Sequence, residues 1–157
     1  MNKKDFKKIE NILSNYNTIK ATIKNQLLEI EIISKTYQGT SSISYEEKTG
    51  HTYKITSLVE NEILEKERRI KQLEKEIISN QNMINMIDNA LDILSDSEKK
   101  LVRLRYFNFN QLSWDQIGYN LGFSGDYCRT KLRNKVIKHM YYMLFINPYK
   151  QFKFENF

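Results

Sequence analysis

The 157 residues carry 40% hydrophobic and 28% charged side chains, which fits a soluble folded protein, and their one proline and five glycines favour long helices. A single cysteine, Cys128, rules out an intrachain disulfide and a CxxC metal site, and His51 and His139 stand far apart with no ligand spacing around them. The net charge of +6 is unevenly placed, with 14 Lys/Arg against 14 Asp/Glu in residues 1–94 and 11 against 5 in residues 95–157, so the excess lies in the C-terminal third and suggests a polyanionic partner there.

The N-terminus, Met1 to Glu10, is basic and lacks an apolar core, so no signal peptide is expected. No run of roughly 18 apolar residues exists, so no membrane span is expected and the predicted location is cytoplasmic. Residues 4–37 repeat at steps of three and four: Phe6, Ile9, Leu13, Tyr16, Lys20, Ile23, Leu27, Ile30, Ser34, Tyr37. This is a heptad seam with Lys20 and Ser34 as interruptions, and it predicts one helix roughly 50 Å long.

Residues 38–56 break the pattern with Gln38-Gly39-Thr40-Ser41-Ser42 and Lys48-Thr49-Gly50. The alternation of Ile43, Tyr45, Tyr53 and Ile55 allows a small β-hairpin over Ser42–Thr56. Ser57 with Glu60 then forms a capping box for a second long helix. Its seam is Val59, Ile63, Lys66, Ile70, Leu73, Ile77, Asn80, Ile84, Ile87, Leu91, Leu94. Two seams joined by one connection predict an antiparallel helical hairpin over 1–94. The rival is an intermolecular coiled coil, and a homodimer through a remaining face is compatible with either. Asn80 fixes register in both cases, because a buried amide demands a polar partner.

A new unit, 95–147, opens at Ser95, which caps a helix with Glu98 at the box position. Leu101, Val102, Leu104, Arg105, Tyr106 and Phe107 follow, then a short loop, Asn108 to Leu112. Ser113 caps the next helix, Trp114 to Leu121, with Trp114, Ile117 and Leu121 inward. Gly122 ends it, Phe123 is expected to pack inward, and Ser124 caps a third helix whose Cys128, Leu132 and Val136 share one face. Helix, glycine-containing turn, capped basic helix is the helix-turn-helix plan. Its second helix keeps one apolar face and offers a polar face that the major groove admits. That face is predicted to carry Gly125, Asp126, Arg129, Thr130 and Arg133, flanked by Lys131, Lys135 and Lys138 placed for phosphates.

These residues bring a family into view. Leu94 to Phe107 (LSDSEKKLVRLRYF) resembles the start of region 4 in sigma-70-type RNA polymerase sigma factors. Ser113 to Gly122 (SWDQIGYNLG) resembles its first motif helix and turn, and Phe123 to Leu132 (FSGDYCRTKL) its recognition helix. The rest of a sigma factor is missing. The whole layout is instead similar to phage late-transcription regulators of the RinA and ArpU type, which join a helical segment with a Gly/Ser-rich insertion to such a domain. The resemblance implies a phage or prophage activator that binds double-stranded DNA near a promoter and touches RNA polymerase. Gly125 and Asp126 depart from the pattern. An early acidic residue repels phosphate or accepts from cytosine N4, so the target sequence is not inherited.

The predicted DNA-binding set is therefore Ser113, Ser124, Asp126, Tyr127, Arg129, Thr130, Lys131, Arg133 and Lys135. Arg129 and Arg133 are the first choices for bases or phosphates, and Ser113 and Ser124 present helix N-termini to phosphate. Tyr127 has two readings, phosphate contact or packing on the neighbouring helix. Trp114 and Cys128 read as core. The apolar run His139–Ile146 extends the last helix for intrachain or dimer packing, with a polymerase contact as the functional alternative. Pro148 and an aromatic tail, 148–157, follow it. No phosphate-binding loop, nucleophile motif or His/carboxylate cluster is present, so neither an enzyme nor a cofactor is expected. Two rivals remain: a small terminase subunit, and a polymerase-binding adaptor without DNA contact.

Overall fold

The computed structural model describes residues 1–38 and 53–145, with side chains described over 1–36 and 60–145. The protein is all-α. In chain order the elements are α1 (Lys3–Ser14), α2 (Tyr16–Gln38), α3 (Tyr53–Asp92), α4 (Asp96–Val102), α5 (Trp114–Leu121), α6 (Gly125–Tyr127) and α7 (Arg133–Phe145). A wide π-helical turn, Arg103–Phe107, continues α4, and another, Cys128–Leu132, joins α6 to α7. Among the described residues no helix is long and apolar enough to cross a membrane.

The expected single helix over 4–37 is two helices. Asn2 and Asp5 cap α1 reciprocally, and Asn15 closes it with its N–H on the Asn11 carbonyl. α3 begins at Tyr53 and not at Ser57, so the backbone of 53–56, assigned to a possible strand, is helical. The remainder of that hairpin, and the aromatic tail, lie outside the described residues.

The chain forms two compact units. One comprises Lys20–Gln81. Within it α2 and α3 pair antiparallel, as Gln26 bonds Glu76 while the later Glu29 bonds the earlier Arg69. The helical hairpin is thus made within one chain. Its seam on α2 differs by one residue from the sequence reading: Ile23 and Gln26 are buried, whereas Leu27 is half exposed. The cause is a polar layer. Gln26 Nε2 donates to Glu76 Oε2 at 2.7 Å, Gln72 donates to Glu76 Oε1 at 2.9 Å, and Asn80 Nδ2 reaches Gln26 Oε1 at 3.5 Å. A buried amide must be satisfied, so the pair of helices turns Gln26 inward to meet Glu76 and Asn80.

The other unit comprises, among the described residues, Met1–Ile19 and 82–145. The boundary drawn at 94/95 is therefore displaced, because α1 belongs with the C-terminal helices. Ile9 and Leu13 of α1 are completely buried, as are Ile87, Leu101, Val102, Ile117, Val136, Ile137 and Met140. Each such side chain contributes about 1.5–3 kcal/mol relative to exposure. Tyr16 stacks on Phe107 with centroids 4.1 Å apart, and its hydroxyl donates to Asp88 at 2.7 Å. The amphipathic pattern of α1 could not by itself tell which apolar surface it would meet.

Candidate nucleic-acid interface

The joint between α5 and α6 is built on close backbone approach. Ser113 caps α5, its hydroxyl accepting the Gln116 N–H at 3.3 Å while the Gln116 side chain accepts the Ser113 N–H at 2.9 Å. Gly122 ends the helix at φ +72°, a left-handed conformation that disfavours a side chain. The Phe123 N–H donates to the Gly118 carbonyl at 2.9 Å, and the Ser124 hydroxyl accepts the Tyr127 N–H at 3.2 Å. A methyl group on Gly118 would fall 2.6 Å from the Phe123 carbonyl oxygen and 2.7 Å from the Gly125 nitrogen. One on Gly125 would meet the Asp115 backbone at 3.0 Å. Two of the glycines thus let the backbone of one helix touch the start of the next. Gly125 faces α5, so it leaves the outer face to which the sequence assigned it. Gly118 was missed, although a lone glycine inside a helical pattern signals close packing.

The turn places Ser113 and Ser124 at helix starts, as expected. Phe123, expected inward, is 44% exposed and lies against the Tyr127 ring at 5.1 Å. A three-residue turn this tight leaves the core to Ile117 and Cys128 and holds Phe123 outside it. Cys128, Leu132 and Val136 are buried, as read. Burial pushes the Cys128 thiol above its ordinary range.

Asp126, Arg129 and Lys131 are exposed, with Thr130 half-buried. Arg129 is 56% exposed and pairs with Asp126 at 2.7 Å. Such a surface pair is worth about 0–1 kcal/mol, so a stronger anion readily displaces the aspartate. The Thr130 hydroxyl donates to the Asp126 carbonyl at 2.7 Å.

Arg133 is elsewhere. In a regular helix it stands one turn above Arg129. The Arg133 N–H instead bonds the Cys128 carbonyl five residues back, and this wide turn shifts the later residues around the axis. The buried face then runs through Val136, Ile137 and Met140, and Arg133 turns to α1. Its guanidinium donates to both Glu10 oxygens at 2.8 Å and lies over the Phe6 ring at 4.8 Å and the Trp114 ring at 5.8 Å. Tyr106 donates to the same Glu10 at 2.6 Å. Burial, then the bond to Glu10, raises the Tyr106 hydroxyl pKa. Burial opposes the charge on Arg133, and Glu10 outweighs it, so its pKa rises. Arg105 covers the other approach to Trp114, with its guanidinium 4.6 Å from the ring centroid. Trp114 is therefore half-buried among cations.

Lys135, half exposed, reaches Glu98 at 3.1 Å, and His139 Nδ1 lies 3.6 Å from the same oxygen. Glu98 is only 2% exposed, and its other oxygen accepts the Ser95 N–H and hydroxyl, both at 2.9 Å. Burial alone would push this carboxyl up. The Ser95 amide, Lys135 and the Ser95 hydroxyl outweigh it and hold the pKa below 4.5. Of the nine predicted residues, the structure gathers Ser124, Asp126, Tyr127, Arg129, Thr130 and Lys131 on and beside the start of one helix. It commits Arg133 and Lys135 to Glu10 and Glu98.

The class set by this geometry is an all-α protein with a helix–turn–helix pair. Residues 5–142 match the family model described as "Protein of unknown function (DUF722)", and the chain belongs to that family. Neither the curated proteins nor the solved structures gave a match.

Proposed function

We propose that the chain is a transcriptional regulator that binds double-stranded DNA through the face begun by α6. The observation that carries this reading is the joint at Gly118, Gly122 and Gly125. It fixes α6 against α5 by backbone contact while Arg129 and Lys131 stay exposed. A recognition helix needs this rigidity, because base contacts require a fixed approach to the major groove. Arg129 and Thr130 take the base-edge role, and Lys131 a phosphate role. The excess of basic residues over 95–157 supplies sequence-independent attraction.

The resemblance to sigma region 4 and to RinA/ArpU-type regulators supports an activator of phage or prophage genes, with RNA polymerase as a second partner. The chemistry is binding alone, with no catalytic step. Selection of duplexes from a random pool by the whole chain, followed by footprinting, tests the reading. One enriched motif with a protected major-groove face is the expected result. A pool that stays random after repeated rounds overturns it.

A further inference from the structure

The loop from Asn108 to Leu112 is held at both feet and bare at its tip. At one foot Phe107 stacks on Tyr16, and its carbonyl accepts the Asn17 side-chain N–H at 2.5 Å. At the other, the Leu112 carbonyl accepts from Arg105 Nη1 at 2.9 Å, and Arg105 covers Trp114, the first residue of α5. Between them Asn108, Phe109, Asn110 and Gln111 are all exposed. The Asn110 N–H turns back to the Asn108 side-chain oxygen at 3.4 Å. Phe109 is 99% exposed. An aromatic ring left in water on an anchored loop packs against none of the described residues.

We infer that this tip enters the DNA minor groove, with Phe109 as a wedge between base pairs and Asn108, Asn110 and Gln111 as readers of A·T edges. The inference rests on the DNA-binding reading above. The loop leads into the N-terminus of α5, and in the helix-turn-helix plan the first helix crosses the phosphate backbone beside the major groove. Beyond that backbone lies the minor groove, whose A·T pairs present only acceptors. Amide NH2 groups supply the donors, and the tip carries no carboxylate to be repelled. Minor-groove proteins pair such amides with an apolar side chain that unstacks a base step. Unstacking pushes back on the wedge, and the anchored feet resist that push.

The test uses the whole chain and the duplex it selects, labelled for end-to-end energy transfer and with 2-aminopurine at the steps flanking the footprint. Wild type is expected to bend the duplex and brighten one 2-aminopurine. Phe109→Ala should abolish both signals and weaken binding by about tenfold when that flank is A·T. Phe109→Leu should keep part of the bend. An unaltered melting temperature is expected for both variants, since the side chain packs on none of the described residues. If wild type bends DNA and Phe109→Ala bends it equally, the wedge is wrong while the DNA reading stands, and the ring belongs to a protein contact. If wild type binds no duplex, both readings fall.

Discussion

Arg133 and Glu10, 123 residues apart in the chain, are joined by two 2.8 Å hydrogen bonds between guanidinium and carboxylate. The pair ties α1 to the start of α7, and Tyr106 adds a third bond to the same carboxylate. An arginine expected on the outer face is thereby half-buried between α1 and α7.

Removing one partner should cost more than removing both. Glu10→Ala strands a guanidinium and a hydroxyl that are partly shielded from water, and about 1–3 kcal/mol of stability should be lost. Arg133→Met combined with Glu10→Gln should lose less than the sum of the single changes, with a coupling of about 1–2 kcal/mol. Urea unfolding of wild type, Glu10→Gln, Arg133→Met and the double variant measures the coupling, with Glu10→Ala unfolded beside them. Additive losses would show that the pair contributes nothing.

Gly118→Ala should destabilise the chain by about 1–3 kcal/mol, the usual cost of forcing a methyl into a filled site. Here its neighbours are backbone atoms of Phe123 and Gly125, which cannot rotate away. In an exposed helix position the same change would stabilise instead. A raised melting temperature would disprove the close joint.

The carboxyl of Glu98 is held below its usual value, so it favours the folded state while ionised. That stability is present above pH 4.5, the ordinary value, and is lost as pH falls through the lower folded value. Glu98→Gln should therefore lower stability at pH 7 and flatten the acid limb of the stability profile. His139, 3.6 Å from Glu98, reinforces the ion pair only when protonated. Thermal melts from pH 3 to 8 provide the comparison, and parallel curves for the two proteins would rule out this role.

Cys128 is completely buried with its thiol pKa raised by burial. It should resist iodoacetamide in the native state and react on unfolding. Mass spectrometry after brief alkylation reads the difference. Rapid native labelling would show that the core around α6 opens.

Much of this was legible in the chain. Ser95 with Glu98, Ser113 with Gln116, Gly122 and Ser124 mark the helix ends because capping is local chemistry, set within three or four residues. The face of Cys128, Leu132 and Val136 follows from periodicity in the same way. What escaped was non-local. Nothing within α1 announces that Phe6 and Glu10 meet Arg133, since that contact spans most of the chain. The π-helical turn after Tyr127 changes which residues face outward without leaving a mark in the hydrophobic pattern. On α2 a heptad count favours Leu27, and only the position of Glu76 and Asn80 reveals Gln26 as the buried partner.

DNA binding through the face begun by α6 means contact with both phosphates and bases. Its sharpest test is the salt dependence of binding to the selected duplex, measured by fluorescence anisotropy for wild type, Lys131→Ala and Arg129→Ala. Log affinity should fall linearly with log salt for wild type. Lys131→Ala should reduce the slope by about one while weakening all sequences alike. Arg129→Ala should cost about 1–3 kcal/mol on the selected duplex and much less on random DNA. Equal affinity and equal slope in all three proteins would contradict the account.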